Sequence, residues 1–316
     1  MSTTPQATAP LGVVEEVGDG IFAYIQPDGT WWINNTAFLV GRRGVAAIDA
    51  CATEARTRGF LDAIRSRTTA PVRTLVNTHH HGDHTHGNCL FDTATIVAHE
   101  RTREAVLAEN TPPNSRLIAT GTWEPVDWGR LEVAAPFLTF TDEVTLFVDD
   151  LRCTVRHVGT PAHTTNDSVV WIPDRGVLLT GDLLFNGGTP FVVMGSVAGA
   201  IEAVEGLRSY AAQTIVPGHG PVAGPGLIDD VLAYLRFVER LAAEAKSAGL
   251  DPLSAAREAE LGEFAALTDS ERLVGNLHRA YLELDGLPRG IPLPDPVRVL
   301  ADMVAFNGGR PLSCHA

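Results

Sequence analysis

Residues 77–88 read NTHHHGDHTHGN, and this run places five of the chain's eleven histidines between positions 79 and 86. The run directly follows Val72–Val76, an apolar segment whose length is typical of a short buried strand. A histidine-rich run can also be a solvated loop or the scar of a tag, but a tag lies at a chain end and lacks interleaved glycine and aspartate. We therefore interpret the run as part of a metal site.

The spacing within the run predicts how metal ions are held. His79 and His81 are two residues apart, and alternate residues just after a strand point the same way, so these two side chains can share one ion. Asp83 and His84 leave the line of the strand and can face a second ion. Imidazole nitrogen and carboxylate oxygen are ligands that suit Zn²⁺.

Three further candidate ligands come later in the chain: His163, Asp182 in the sequence TGD, and His219 in the sequence PGHG. Each lies just past an apolar segment that predicts a strand, and strand ends at one edge of a sandwich converge on a common cleft. Glycines beside Asp182 and His219 allow the backbone to come close. The full set comprises five histidines and two aspartates, enough for two metal ions. His80 and His86 are expected beside the site, and not as ligands.

The first two thirds of the chain predict an α/β body. The predicted strands are Val13–Val17, Ile21–Ile25, Trp31–Val40, Val45–Asp49, Val72–Val76, Val144–Val148, Leu151–Val158, Ser168–Ile172, Val177–Thr180 and Thr214–Val216. The predicted helices of this part are Glu54–Arg67, His99–Glu109 and Ala198–Tyr210. Residues 111–130 contain three prolines and two tryptophans and predict an irregular insertion.

The pattern changes to helical after Pro225. Apolar residues at helical spacing predict a long amphipathic helix over Leu227–Leu241. The sequence Thr268-x-x-Glu271 predicts a capping box, followed by a helix through Leu284. Asp295-Pro296 predicts the start of a last helix, which ends near Gly308. We therefore predict a catalytic domain over residues 12–225 and a helical extension over residues 226–316 packed on it.

Composition excludes several classes of function. The 316 residues are 45% hydrophobic and 20% charged, which is near the average for globular proteins with a sizeable core. The formal net charge of −14 argues against nucleic acid as a partner, because binding phosphates needs a basic face. No apolar run reaches the roughly 18 residues of a membrane span, so no membrane partner is expected. The first ten residues, MSTTPQATAP, predict a disordered lead and not a secretory signal. The four scattered cysteines predict no disulfide framework. A cytoplasmic location is therefore expected.

The order HxHxDH, then His, Asp and His, resembles the metallo-β-lactamase superfamily over roughly residues 12–225. This resemblance implies an αββα sandwich with a di-metal site at one edge. It implies that the ligands of one zinc ion are His79, His81 and His163, that those of the other are Asp83, His84 and His219, and that Asp182 bridges the two. Asp49, which ends a predicted strand, matches the superfamily's early aspartate, and its implied role is to fix the histidine loop.

Two positions narrow the branch that the chain resembles. Asp182 stands at the bridging position, as in the thioesterase and phosphoesterase branches, where the classical secreted β-lactamases have cysteine. His81 stands where the oxygen-reducing di-iron branch has glutamate, so the chain departs from that pattern.

A narrower resemblance extends over nearly the whole chain. The segments GSVAG (195–199), GHGPVAGP (218–225), ERLVGNLHRAYLEL (271–284) and AFNGG (305–309) are similar to the bifunctional cyclase/thioesterases of bacterial aromatic polyketide pathways. This similarity implies aldol ring closure and thioester cleavage on a polyketide bound to an acyl carrier protein, as part of antibiotic biosynthesis.

The expected chemistry needs no protein nucleophile, and the chain has no G-x-S-x-G elbow. Two Zn²⁺ ions lower the pKa of a bridging water from about 15.7 toward 7. Asp83 is expected to orient that nucleophile and to accept its proton, and a zinc ion to stabilise the developing oxyanion. Aromatic and apolar side chains are expected to line the substrate pocket; the candidates are Trp31, Trp32, Trp123, Trp128, Phe185 and Phe191.

Other functions stay open at this point. A general hydrolase of a small thioester, a lactone or a β-lactam would use the same site. A mono-iron thiol dioxygenase is a further alternative, because similar ligand sets can hold iron. A binding module without catalysis is disfavoured, since all seven ligands are present. The C-terminal helices are expected to roof the site or to form the face of a homodimer.

Overall fold

Two mixed β-sheets face each other in the structure, a computed structural model that describes residues 12–108 and 120–316. The first sheet contains, in spatial order, β1 (Val13–Gly18), β2 (Ile21–Ile25), β3 (Thr36–Val40), β4 (Val45–Ile48), β5 (Val72–Val76), β6 (Thr95–His99) and β7 (Leu138–Phe140). The second contains β12 (Thr214–Val216), β11 (Val177–Leu179), β10 (Ser168–Ile172), β9 (Leu151–His157) and β8 (Glu143–Val148). Strands β4 to β7 are parallel to one another, as are β11 and β12; the other neighbours are antiparallel.

Helices cover the outer faces of both sheets. They are α1 (Glu54–Arg67), α2 (Gly82–Thr85), α3 (Glu100–Ala108), α4 (Val197–Gly206), α5 (Gly226–Ser247), α6 (Pro252–Glu258), α7 (Arg272–Leu284) and α8 (Pro296–Phe306). Their starts follow the usual capping chemistry, since Thr53 caps α1 and Ser196 caps α4 through side-chain oxygens that accept backbone N–H bonds. Asp295 caps α8 in the same way, with Pro296 at its first position, as predicted.

Three hydrophobic clusters correspond to the interfaces between these layers. Between the sheets, Ile48 and Val76 of the first pack with Val170 of the second. On the outer face of the first sheet, α1 inserts Phe60 in a second cluster. On the outer face of the second sheet, Leu178 belongs to a large cluster that includes residues of α4, α5, α7 and α8. The αββα sandwich with C-terminal helices, predicted from the sequence, is confirmed.

The C-terminal helices share a hydrophobic core with the sandwich. Leu178 and Ile215 of the second sheet lie in the same cluster as Val231 and Leu235 of α5. The core therefore continues across residue 225. The division into a domain over 12–225 and an extension over 226–316 stays a prediction.

The predicted strand Trp31–Val40 is too long at its start. The strand begins only at Thr36, and Trp32 has a φ of 67° in the left-handed region. The two asparagines directly before Thr36 explain why the strand does not start earlier. Asn34 Nδ2 donates to Ala50 O at 2.8 Å, and Asn35 Nδ2 donates to Gly220 O at 2.6 Å. Side-chain bonds to distant backbone thus replace a β-ladder. The strands β6 and β7 and the helix α6 were not predicted.

The capping box predicted at Thr268-x-x-Glu271 is wrong. Helix α7 begins at Arg272 without a side-chain cap. The Glu271 carboxylate instead accepts the indole N–H of Trp31 at 2.6 Å, across 240 residues of chain. Glu271 therefore bonds to a residue that is distant in sequence, and not to the start of α7 as the local pattern predicted.

Two sequence expectations concern regions that this structure does not describe. The expected disordered lead over residues 1–10 lies outside the described residues, as does the part of the predicted insertion over 111–119. Within the described ranges, no helix combines the length and the apolar character needed to cross a membrane.

A pair of histidines links the two sheets at their ends. His99 ends β6 and His157 ends β9, and their rings stack with centroids 4.0 Å apart. Burial and the adjacent His157 lower the pKa of His99 to about 4, with Arg101 acting in the same direction and Asp142 against it. Burial also lowers the pKa of His157. Both rings are therefore neutral in the folded protein at neutral pH.

We expect this pair to weaken the fold in mild acid. The unfolded chain takes up protons near pH 6.5, while folded His99 does so only near pH 4, so the free energy of unfolding falls between these values. His99→Phe keeps a ring against His157 but cannot be protonated. Urea unfolding at pH 7 and pH 4.5 should show that the variant loses less stability on acidification than the wild type, by on the order of 1 kcal/mol. Equal losses in both proteins would contradict this account.

Candidate metal centre

The seven predicted ligands meet at one edge of the sandwich, in loops that follow strand ends. His79 and His81 follow β5, and Asp83 and His84 lie in the short helix α2. The other three come from the second sheet: His163 precedes β10, Asp182 follows β11 and His219 follows β12. All seven side chains except that of His81 are buried. The loops that follow β5, β11 and β12 start at this edge of the sandwich, so they bring the ligand side chains together there.

These ligands form two groups that share one residue. One group contains His79, His81, His163 and Asp182; the other contains Asp83, His84, Asp182 and His219. In each group the ligand atoms lie within 4.8 Å of one another. The structure therefore brings together the same two sets that the sequence predicted, with Asp182 between them. Their role as metal ligands stays a prediction.

The carboxylate of Asp182 faces histidines of both groups. Its Oδ2 lies 3.3 Å from His163 Nε2 and 3.3 Å from His219 Nε2. Its Oδ1 lies 3.1 Å from His84 Nε2. Oδ2 thus contacts one histidine of each group, so this carboxylate lies between the two groups and could serve both.

Hydrogen bonds at the outer ring nitrogens fix the orientation of the imidazoles. His163 Nδ1 donates to the carbonyl oxygen of Phe191, and His219 Nδ1 donates to that of Gly29 at 3.0 Å. His84 Nδ1 donates to Asp49 Oδ2 at 2.9 Å. Because Nδ1 donates in each case, Nε2 is the nitrogen that faces the centre of the site, and it could bind a cation in place of a proton.

Asp49 connects ligands of both groups. Besides His84, it accepts a hydrogen bond from the hydroxyl of Thr78 at 2.8 Å, and Thr78 Oγ1 lies 3.1 Å from His79 Nδ1. Asp49 also accepts the backbone N–H of Thr78 at 2.7 Å and has a φ of 60°, a strained conformation for a residue other than glycine. The buried Asp49 carboxylate thus orients His84 directly and His79 through Thr78. It also holds the histidine loop against the sheet.

The donor atoms at the centre fit a pair of metal ions. Nε2 of His79, Nε2 of His84 and Oδ1 of Asp182 are buried and make no hydrogen bond within the described parts of the chain. Buried polar atoms that lack a partner are costly, and metal coordination would satisfy all three. Nitrogen and oxygen donors in groups of four match the preference of Zn²⁺.

The two carboxylates of the centre stay ionised. Burial alone would raise the pKa of Asp182, but the surrounding imidazoles, led by His219, lower it well below its usual range. Burial opposes the charged form of His219, yet the Asp182 carboxylate outweighs this effect and raises the pKa of His219 to about 9. The imidazole–carboxylate contacts thus hold two negative charges in a buried site, where cations are the natural ligands.

Glycine is required where the loops cross the site. A Cβ at Gly218 would lie 1.9 Å from Asp182 Oδ1, inside van der Waals contact. Gly181 has a φ of 50°, and a Cβ there would lie 2.7 Å from the Thr78 hydroxyl. These are the glycines of the sequences PGHG and TGD, and their lack of a side chain lets three loops pack around one carboxylate.

The comparison with protein families agrees with this geometry. A model described as "Metallo-beta-lactamase superfamily" matches residues 29–219, more than half of the chain. The chain belongs to the metallo-beta-lactamase superfamily.

Relatives within the superfamily are distant and differ in activity. The chain is 28% identical over 185 residues to the 2,4-dinitroanisole O-demethylase subunit alpha of a Nocardioides species, covering 58% of this chain and 47% of that protein. It is 29% identical over 145 residues to the hydroxyacylglutathione hydrolase of Rhodospirillum rubrum, covering 46% of each. The chain thus spans about half the length of these two relatives.

A solved metallo-beta-lactamase from Pontibacter korlensis shares the fold. The superposition has a TM-score of 0.58 with 20% sequence identity and covers 71% of this chain and 99% of that one. The comparisons show the superfamily. They do not support the narrower similarity to polyketide cyclase/thioesterases.

A cavity of about 500 Å³ opens over the metal centre. Its walls include five of the six predicted pocket residues, Trp31, Trp32, Trp123, Phe185 and Phe191. The remaining candidate, Trp128, is buried behind Trp32, with ring centroids 5.0 Å apart. Part of the wall lies outside the superfamily match and comes from α7, α8 and the segment between them; these residues are Arg272, Arg279, Gly290, Ile291, Pro292, Leu293, Pro296, Val299 and Leu300.

His80 and His86 lie beside the centre and outside both ligand groups, as expected. His80 Nδ1 is 3.0 Å from the side-chain nitrogen of Asn166 and 3.3 Å from its oxygen. His86 stacks against Trp32, with ring centroids 5.8 Å apart. Both rings line the cavity, so they shape its wall next to the metal centre.

Sequence reasoning missed several residues that support the site. Asn77 and Asn88 bond to each other through their side chains, and Asn77 also donates to the carbonyl of His84 at 3.0 Å. Their place at either end of the NTHHHGDHTHGN run was a usable signal. Arg272 and Arg279 were also missed; two arginines seven residues apart on the buried face of an amphipathic helix were the available sign.

We expect the loss of the Asp49 charge to weaken metal binding without removing a ligand. Asp49→Asn can no longer accept bonds from both His84 and Thr78 as a carboxylate does, so His79 and His84 lose their fixed orientation. Metal affinity, measured by competition with a chromophoric chelator, should fall 10- to 100-fold. The matched control His80→Gln alters a histidine of the same run that is not in either group, and should retain two ions per chain. A wild-type affinity in Asp49→Asn would contradict the role of Asp49.

Proposed function

We propose that this chain is a di-zinc hydrolase of acyl thioesters with a flat, apolar acyl group. The observation that carries the proposal is the position of Asp182, shared by two ligand groups at a cavity with aromatic walls. Seven ligands in two groups favour two ions over the single iron of a thiol dioxygenase. Nitrogen and carboxylate donors favour zinc.

Two zinc ions bound here would supply a water of low pKa at neutral pH and would polarise the carbonyl group of the substrate. The residues of the chain provide the rest. The carboxylate of Asp83 lies 3.3 Å from His219 Nε2, and its side chain keeps 11% of its surface exposed toward the cavity. From there it can hold the attacking water in place and accept its proton. Neighbouring imidazoles lower the pKa of Asp83 against the effect of burial, led by His84, so its carboxylate is ionised at neutral pH.

Three observations support a thioester as the bond that is cleaved. Aspartate occupies the bridging position, as in the thioesterase branch that the sequence resembles. One relative is named as a hydroxyacylglutathione hydrolase. The cavity wall contains the edge-to-face pair Trp31 and Phe191 and the ring of Phe185, which suit a flat acyl group.

A narrower role as a polyketide cyclase is a refinement of the same proposal. It would place a carrier-bound polyketide in this cavity, where a polarised ketone could undergo aldol ring closure before thioester cleavage. Acyl carrier protein as a partner, a homodimer and a cytoplasmic location remain predictions of the sequence. A lactone or β-lactam would meet the same metal centre, and these substrates are therefore arms of the test.

The substrate class is decided by a panel assayed with zinc-loaded protein. The panel contains benzoyl and naphthoyl thioesters of N-acetylcysteamine, an aryl lactone, a phosphodiester and a cephalosporin. We expect the naphthoyl thioester to give the highest kcat/KM, because it fills the aromatic cavity. A clear preference for the phosphodiester or the cephalosporin would overturn the thioesterase assignment and leave the superfamily assignment intact.

We expect Asp83→Asn to lose turnover more than it loses metal. Asparagine keeps an oxygen that can serve as a ligand, but it cannot accept a proton. Thioester turnover should fall by about 100-fold or more, in the range typical of a general base, while elemental analysis still finds more than one zinc per chain. Near-normal turnover with both metals bound would refute the role of Asp83 as a base.

A further inference from the structure

Arg279 is a buried cation without a counter-ion in the wall of the cavity. It is 1% exposed, and its Nε and Nη2 donate to the carbonyl oxygen of Val193 at 2.9 and 2.7 Å. Nη2 also donates to the carbonyl oxygen of Ile291 at 2.9 Å. Among residues 12–108 and 120–316, the buried Nη1 has no hydrogen-bond acceptor, and no carboxylate lies within ion-pair distance of the guanidinium. A buried charge left in this state is destabilising.

Arg272, on the same helix and in the same cavity wall, differs from Arg279 in having a carboxylate partner, although its buried Nε also lacks an acceptor within the described residues. It pairs with Asp269 at 2.8 Å and donates to the carbonyl oxygen of Thr189 at 3.1 Å. Its guanidinium also stacks over the ring of Trp31 at 4.2 Å. The charge of Arg272 is thus neutralised within the protein, while that of Arg279 is not.

The nearest acidic residue along α7 is already engaged elsewhere. Glu283 lies one turn beyond Arg279 and accepts the backbone N–H groups of Val197 at 2.8 Å and Ala198 at 3.2 Å. These groups are the unsatisfied donors at the start of α4, which attract a carboxylate. Glu283 therefore serves as a cap for α4; its charge only partly offsets the effect of burial, which lowers the pKa of Arg279, and it forms no ion pair with the guanidinium.

Other walls of the cavity also present donors without acceptors. The indole nitrogens of Trp32 and Trp123 are buried and make no hydrogen bond within the described ranges. Both residues line the cavity, and their rings meet edge to face with centroids 5.3 Å apart. A ligand with hydrogen-bond acceptors and a negative charge would complement these donors and the Arg279 guanidinium.

We propose that Arg279 binds a carboxylate on the acyl part of the substrate. The substrate class would then be an aromatic acyl thioester with a carboxylate away from the thioester carbonyl. This inference rests on the proposed function, since the thioester end must lie at the metal centre for the carboxylate to reach α7. Arg279 lies beyond residues 29–219, so the C-terminal segment, and not the shared superfamily fold, would set this preference. Charge-assisted hydrogen bonds from a guanidinium match a carboxylate in both charge and shape.

The test compares substrates that differ only in this charge. The pairs are the 3- and 4-carboxybenzoyl thioesters of N-acetylcysteamine and the corresponding methyl esters at the ring carboxyl group. With zinc-loaded wild type, we expect kcat/KM for at least one carboxylate isomer to exceed that of its methyl ester at least tenfold, mainly through KM. If neither isomer is preferred, the proposal is overturned.

Variants at Arg279 locate the preference. Arg279→Gln can still donate to Val193 but has no charge, and it should reduce the carboxylate-to-ester ratio of kcat/KM at least tenfold. Arg279→Lys keeps the charge and should keep a ratio closer to that of wild type. The control Arg236→Gln removes an arginine from the exposed face of α5, where it pairs with Glu205, and should leave the ratio unchanged. An unchanged ratio in folded Arg279→Gln contradicts the proposal; if that variant does not fold, the wild-type ratio and Arg279→Lys decide.

A binding measurement separates failure of this inference from failure of the proposed hydrolysis. If no thioester is cleaved, the hydrolase assignment fails, and titration of zinc-loaded protein with monomethyl isophthalate and dimethyl isophthalate, followed by tryptophan fluorescence, still reports on Arg279. We expect the monoacid to bind at least tenfold more tightly than the diester to wild type, and this difference to be lost in Arg279→Gln. An equal difference in both proteins would place the carboxylate elsewhere and overturn the inference.

Discussion

The contact of Asp182 with histidines from both ligand groups is the constraint on which the rest of the site depends. One carboxylate lies within 3.3 Å of His84, His163 and His219, which come from three separate loops. Such convergence requires both sheets to end at the same edge and the loops to approach without intervening side chains. Gly218, whose Cβ would overlap Asp182, shows how little room remains. The sandwich thus holds four chain segments, which carry residues 79–84, His163, Asp182 and His219, together at one edge.

The superfamily fold and the C-terminal helices contribute different parts of the candidate site. The shared superfamily fold supplies the metal centre and its support, in which Asp49 and Thr78 orient the histidines. The C-terminal helices pack into the same hydrophobic core as the second sheet and contribute the outer wall of the cavity. In the proposed function, the first region would carry out the chemistry and the second would set the shape and charge of the bound group.

Local patterns predicted the ligands because their chemistry is local. A strand end fixes the direction of the next few side chains, so spacing within NTHHHGDHTHGN was enough to sort His79 and His81 from Asp83 and His84. The sandwich could be predicted from the order of the strands and the motif. The turn at Trp32 and the bond of Glu271 to Trp31 could not, because their partners are far away in sequence. The burial of Arg279 could not be predicted for the same reason. An arginine on a helix is normally solvated, and only the packing shows that this one is buried.

The number and position of metal ions test the central claim most directly. Crystals of the purified protein, measured at X-ray energies just above and just below the zinc absorption edge, would locate zinc by its anomalous scattering. The account predicts two zinc peaks on either side of the Asp182 carboxylate, one near His79, His81 and His163 and the other near Asp83, His84 and His219. A single peak whose height is unchanged across the zinc edge but rises across the iron edge would contradict it.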